Sequence, residues 1–138
     1  MANSIFLDTY GWLSLLNANE ALHARSVEIW LALMNESRLV VLTDWIIAET
    51  GNGLARSRSN GRFVDVVRQM LEAPSVEIVD VNRNLLGRAL ADYGKYADKS
   101  WGLVDCVSFI VMQERGITEA FTSDRDFGQA GFECLLPG

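Results

Sequence analysis

Four acidic side chains stand where an apolar run would otherwise continue or end: Asp8 after Ser-Ile-Phe-Leu, Glu49 after Trp-Ile-Ile-Ala, Asp105 inside Leu-Val-Asp-Cys-Val, and Asp124 after Ala-Phe-Thr-Ser. An acid on an apolar face must be paired, protonated or bound to a cation, because burying a lone charge is costly. Carboxylates without histidine or thiolate partners suit hard cations, since Mg²⁺ and Mn²⁺ prefer oxygen ligands and keep several waters. Such ions help with a phosphodiester, a poor electrophile that is already negative. They neutralise charge that builds up in the transition state and generate hydroxide from water at neutral pH. His23 is the sole histidine and falls at a solvated helix start, so imidazole acid–base chemistry has little material. Cys106 and Cys134 have neither CxxC spacing nor histidine neighbours, which argues against zinc and for two reduced thiols packed as small apolar residues.

The elements that must position these acids follow from the hydrophobic pattern. Residues 4–7 form a short apolar run ending in Asp8-Thr9, a buried strand that delivers a carboxylate at its end; residues 10–16 suit a short helix. Val27, Trp30, Leu31 and Met34 recur at helical steps within residues 20–36, and residues 38–42 form a second buried strand. Thr43 is an N-cap candidate, with Asp44 in the first turn of a helix reaching about residue 57. Asn60-Gly61 marks a break. Phe63, Val66, Val67, Met70 and Leu71 then make a helical stripe stopped before Pro74, and residues 76–79 a third strand. Residues 82–96 are helical. Ser100 is a candidate cap for a helix over 101–115 that Gly116 closes, and residues 120–122 and 132–136 supply the fourth and fifth strands. Strands alternating with helices predict an α/β fold: a central parallel sheet of about five strands, helices on both faces, one domain over residues 1–138.

Ligands of such sheets gather at the carboxyl ends of the strands. Asp8 and Asp124 follow the first and fourth strands, while Glu49 sits one and a half turns into the helix after the second and Asp105 just over one turn into the helix before the fourth. Each acid has a plainer reading: Asp8 as a turn or cap residue, Glu49 as a partner of Arg56, Asp124 as a loop acid. Their joint placement favours a metal site. Asp44 and Asp98 read as helix-entry or structural acids.

At this point the residues resemble a family. Ile-Phe-Leu-Asp8-Thr-Tyr, Thr43-Asp-Trp-Ile-Ile-Ala-Glu49-Thr, Asp98-Lys-Ser-Trp-Gly-Leu-Val-Asp105-Cys-Val-Ser108-Phe and Phe-Thr-Ser-Asp124-Arg-Asp-Phe-Gly-Gln-Ala-Gly-Phe are similar, in order and spacing, to the acidic motifs of PIN domains. They are most similar to the VapC-type toxins of bacterial toxin–antitoxin pairs. The resemblance spans essentially the whole chain and implies a three-layer PIN-like fold and a metal-dependent endoribonuclease. Asp8, Glu49, Asp105 and Asp124 would form the catalytic site and hold one or two Mg²⁺ or Mn²⁺ ions, with Glu49 acting through a bound water. Thr9 and Ser108 would be hydroxyls behind the acids, and Asp126 a further acid that either adds a weak ligand or faces solvent. Val104 departs from the pattern, where a hydroxyl residue is common. The resemblance also implies an RNA substrate, a small antitoxin whose C-terminal segment lies over the acidic groove, and a homodimer.

The net charge of −6 opposes nucleic-acid binding taken alone, but bound cations would offset it. Arg56, Arg58, Arg62 and Arg68 form a basic strip, and the first three are weak candidates for phosphate contact. The tryptophans and phenylalanines mostly sit in apolar stripes and read as core or subunit interface before base-stacking platforms. The start of the chain lacks a basic n-region, and no apolar run approaches the roughly 20 residues of a membrane span, so a cytoplasmic protein is expected. A housekeeping RNA-processing nuclease and an inactive PIN-like module stay open beside the toxin. A dehalogenase-type phosphatase needs a second Asp where Tyr10 stands, and a receiver domain needs a phosphoacceptor Asp that no central strand delivers.

Overall fold

The first strand, β1 (Ser4–Leu7), ends three consecutive buried apolar side chains, Ile5, Phe6 and Leu7, on Asp8, and this is the centre of the sheet. The computed structural model describes residues 3–57 and 59–137. After β1 come α1 (Thr9–Leu16), α2 (His23–Asn35), β2 (Leu39–Thr43), α3 (Asp44–Gly53) and α4 (Asn60–Glu72). The chain continues through β3 (Val76–Val79), α5 (Arg83–Lys95), α6 (Leu103–Glu114), β4 (Glu119–Phe121), α7 (Arg125–Gln129) and β5 (Glu133–Cys134). The five strands pair in the order β3-β2-β1-β4-β5, and every pairing is parallel.

That order explains the layers. The chain steps outward from β1 to β2 to β3, then returns to the other side of β1 for β4 and β5. Right-handed crossovers therefore put α1–α4 on one face and α5–α7 on the other. The direction of travel reverses between β1 and β4, whose register pairs Phe6 with Ala120 and Leu7 with Phe121. A crevice opens at the carboxyl ends of two such strands.

Local chemistry fixes the elements. Thr43 caps α3 by accepting from the Ile46 N–H at 3.2 Å, and Asn82 caps α5 by accepting from the Leu85 N–H at 2.9 Å. In α6 the run from Cys106 to Met112 is buried on every side, the pattern of a helix enclosed by neighbours. Its Phe109 meets Phe127 of α7 edge-on at 4.9 Å between centroids.

Several boundaries differ from the sequence expectation. Helix α3 stops at Gly53, four residues early, and Asn60-Gly61 lies in the first turn of α4, with the break just before it. Leu71 is 66% exposed and leaves the apolar stripe. Ser100 does not cap α6: Gly102 holds the cap position, and Asp105 Oδ2 accepts its N–H at 2.9 Å. Helix α7 was not anticipated, and β5 is shorter than its apolar run. Gly116 closes α6 in the left-handed region at φ 64°, as its sequence signal indicates.

One glycine sets the approach of α1 to the sheet. A Cβ at Gly11 would lie 2.0 Å from the backbone carbonyl oxygen of Phe121. Only hydrogen fits there, so α1 can start directly on β4 and hold Asp8 and Thr9 at the crevice. Gly11→Ala is expected to destabilise the fold by about 1–3 kcal/mol despite alanine's higher helix propensity. Equal urea midpoints for variant and wild type would show that α1 can shift without loss.

Candidate active site

Asp8 caps the entry to α1 with extended backbone and is 2% exposed. Its Oδ2 accepts from the Thr122 hydroxyl at 2.7 Å, and the same Thr122 oxygen accepts from the Asp124 N–H at 3.0 Å. One threonine beyond β4 thus clamps the acids that follow β1 and β4. Asp124 in turn caps α7, its Oδ1 accepting from the Asp126 N–H at 3.0 Å. Asp126 Oδ1 accepts from the Ser100 hydroxyl at 3.0 Å, and Asp105 is held by the Gly102 N–H. Each carboxylate is oriented by few donors, which leaves acceptor capacity for a further ligand.

Carboxylate oxygens of Asp105, Asp124 and Asp126 lie within 4.8 Å of one another. Asp8 adjoins this trio and Glu49 stands at its rim. Glu49 is exposed, so the apolar residues before it do not enclose it as its sequence context suggested; the Thr9 hydroxyl donates to its Oε1 at 2.5 Å. Asp126, expected as a weak ligand or a solvent-facing acid, lies within this cluster. Ser108 is buried as expected, but its hydroxyl donates to the Val104 carbonyl one turn back and reaches no acid.

No lysine or arginine pairs with Asp8, Glu49, Asp105, Asp124 or Asp126 among the described residues. The consequences appear in proton affinity. Burial pushes Asp8 up to about 7, opposed by the Thr122 hydrogen bond and reinforced by Asp105 and Asp124. Burial likewise pushes Asp105 up to about 6, the Gly102 hydrogen bond opposing it and Asp124, Asp126 and Glu49 adding to it. Asp124 is also raised, by burial first. The phenol of Tyr10, 58% exposed, is pushed up by burial and then by Asp124, Asp8, Asp105 and Glu49, which places an exposed ring beside all four.

The donor set fits a hard divalent cation: all oxygen, several charges, no counter-ion and one crevice. The arginines lie elsewhere. Arg62 borders an apolar cleft of about 330 Å³ with Trp12, Val66 and Met70, and Arg56 lines a shallow hollow with Asn17 and Gly53. Glu49 and Arg56 do not pair, and Arg58 lies outside the described residues. Sequence reasoning passed over Thr122 and read Ser100 only as a helix cap; the signal for Thr122 was a hydroxyl two residues before Asp124, and none pointed Ser100 toward Asp126.

A doubly wound parallel sheet with acids gathered at the reversal between β1 and β4 defines a class, and the chain belongs to it: the PIN domain family matches residues 5–133. The 23S rRNA-specific endonuclease VapC20 of Mycobacterium tuberculosis is 29% identical over 133 residues, 96% of this chain and 98% of that protein. The crystal structure of that VapC20, described as a Sarcin-Ricin loop cleaving toxin, superposes with a TM-score of 0.80, covering 94% of this chain and 96% of that one. FitAcB from Neisseria gonorrhoeae, 22% identical, superposes at 0.64 over 96% of this chain and 97% of that one and shares the fold.

The raised acids set the sign of a stability prediction. A carboxyl whose folded-state pKa lies above its unfolded value favours folding at low pH, and that contribution is lost as pH rises through the folded pKa. Asp8 rises from 3.8 to about 7 and Asp105 from 3.8 to about 6, so the metal-free protein loses stability between about pH 4 and pH 7. At about 1.4 kcal/mol per unit, Asp8 alone is worth on the order of 4 kcal/mol by pH 8. Melting curves in EDTA are expected to fall over this range and to flatten in Asp8→Asn, whose amide oxygen can still accept from Thr122. A pH-independent melting temperature would mean that the acids are already compensated.

Proposed function

We propose that this chain is an endoribonuclease that hydrolyses RNA phosphodiester bonds with Mg²⁺ or Mn²⁺, and that it is the toxin of a VapBC-type pair. The observation that carries this reading is the uncompensated cluster of Asp8, Asp105, Asp124 and Asp126 at the crevice between β1 and β4. The similarity to an rRNA endonuclease over nearly the whole chain supports the substrate class, and a structured loop of ribosomal RNA is the first candidate.

Asp8, Asp105 and Asp124, joined by Asp126, would hold one or two ions, with Glu49 reaching them through water. When bound, the cation neutralises charge developing on the phosphate and activates water at neutral pH. The chain's own groups fix the geometry. Thr122 holds Asp8 Oδ2 and leaves the other oxygen for the ion, Gly102 does the same for Asp105, and Ser100 for Asp126. Thr9 turns Glu49 toward the rim. The acids have no use for a phosphate until the cation is present, since five carboxylates repel it. Arg56 and Arg62, exposed on the α3–α4 side, would take phosphates farther along the RNA.

In this reading a small antitoxin covers the acidic crevice with its C-terminal segment, the toxin works as a homodimer, and both act in the cytoplasm. No helix among the described residues is long and apolar enough to cross a membrane.

The test is cleavage of total RNA with Mg²⁺, Mn²⁺ or EDTA by wild type, Asp8→Asn and Asp105→Asn. Discrete fragments that require the metal and fall at least about 100-fold in both variants are expected. Equal inertness of all three proteins across metals and RNA classes would leave a binding module, and cutting that survives EDTA would remove the metal from the account.

A further inference from the structure

Behind the acidic crevice, on the α5–α7 face, lies a second and separate hollow. It measures about 280 Å³ and is walled by Asp92 of α5 and Tyr96 at its end, Trp101 just before α6, Phe109 and Gln113 of α6, and Gln129 of α7. The size is just below the range of ordinary small-ligand clefts, about 300–1,000 Å³, and suits one flat heterocycle.

Three stretches of chain tie this hollow to the acids. Trp101 sits between Ser100, which holds Asp126, and Gly102, which holds Asp105. Helix α7 leaves Asp126 in the crevice and reaches Gln129 in the hollow, a rise of about 4.5 Å over three residues. Helix α6 carries Asp105 into the crevice and lines the hollow from the next residue on. Cys106, the residue after Asp105, lines the hollow together with Asp92. The hollow and the crevice therefore share α6, α7 and the stretch from Ser100 to Gly102.

The walls match a nucleobase. Tyr96 and Trp101 rings stand 5.1 Å apart between centroids, and Trp101 meets Phe109 at the same separation, so the hollow is bounded by rigid aromatic surface. The indole N–H of Trp101 donates to Gln129 Oε1 at 3.0 Å, which leaves the Gln129 amide nitrogen as a donor. The Asp92 carboxylate offers only acceptors when ionised. A negative group in the wall excludes phosphate and favours a base edge rich in N–H. Guanine alone among the four bases presents two adjacent N–H donors beside a carbonyl, so a carboxylate can take both while an amide donates to O6.

We propose that this hollow binds the guanine base of the nucleotide next to the scissile phosphate, with Asp92 reading its N1–H and N2–H₂ edge and Trp101 packing against its ring. The assignment rests on the ribonuclease reading, and its test avoids cleavage. The ¹⁵N-labelled full chain, in EDTA, is titrated with guanosine 5′-monophosphate and with the adenosine, cytidine and uridine equivalents. The four tryptophans give four indole N–H signals, and the one missing in Trp101→Phe identifies Trp101. Guanosine monophosphate is expected to shift that signal saturably and at least tenfold more tightly than the others, and Asp92→Asn, a change on a half-exposed helical position, to remove the preference. No saturable shift, equal affinity for the four nucleotides, or a preference that survives Asp92→Asn overturns the proposal. Because no metal and no turnover are involved, each of these results leaves the RNA-cleavage assay free to succeed or fail by itself.

Discussion

Burial of carboxylates that the fold gathers without a basic partner is the constraint on which the rest depends. Asp8 is almost wholly buried at the end of the central strand, Asp124 follows its neighbour β4, and Asp105 and Asp126 close the group, with no basic side chain to answer them among the described residues. Proteins normally settle such a conflict by pairing, by protonation or by a metal. Pairing is absent here, and protonation shows in the raised proton affinities of Asp8 and Asp105. In the function proposed above, a divalent cation is the third resolution, and the one with chemical use.

Holding the acids together requires rigidity around them. The apolar strands of the sheet centre are buried on both faces, α6 is enclosed along seven consecutive residues, and Phe6, Phe109, Phe127 and Phe132 link the sheet to α6, α7 and the segment before β5. Gly11 lets α1 begin against the carbonyl of Phe121, so the two chain segments that carry Asp8 and Asp124 cannot drift apart. The hydrogen bonds of Thr122 span 114 residues of sequence to Asp8 and two to Asp124, a single hydroxyl joining the first and last strands of the site. The core supplies the stability that the uncompensated charges remove.

Much of this was legible in the residues. Period and apolar runs placed all five strands within a few residues, and the rule that ligands gather at carboxyl strand ends pointed to Asp8 and Asp124. Glu49 and Asp105 came from acids within apolar helices, a sound argument for half-buried Asp105 and a weaker one for Glu49, which is exposed. What escaped was non-local or competitive. Ser100 looks the better cap, yet Asp105 from inside the helix performs that task and frees Ser100 for Asp126. Ser108 stands near the acids in sequence, but its hydroxyl satisfies itself on its own helix. Thr122 and α7 depend on contacts between β4 and β1 that no periodicity encodes. The arginine strip was visible as a cluster, while the places of Arg56 and Arg62 away from the crevice depend on tertiary packing.

The central claim, that the acids form one site awaiting a cation, is tested most directly by calorimetric titration of the metal-free protein with Mn²⁺ in buffers of different ionisation enthalpy at pH 6.5 and pH 8.5. A cation that resolves the conflict must displace the protons that burial retains, so binding at pH 6.5 is expected to release about one proton, falling toward zero at pH 8.5. Asp105→Asn is expected to weaken that binding at least about tenfold. Failure to bind Mn²⁺ at either pH, or binding with no buffer dependence at pH 6.5, would contradict it and leave the carboxylates as a cluster with some other partner.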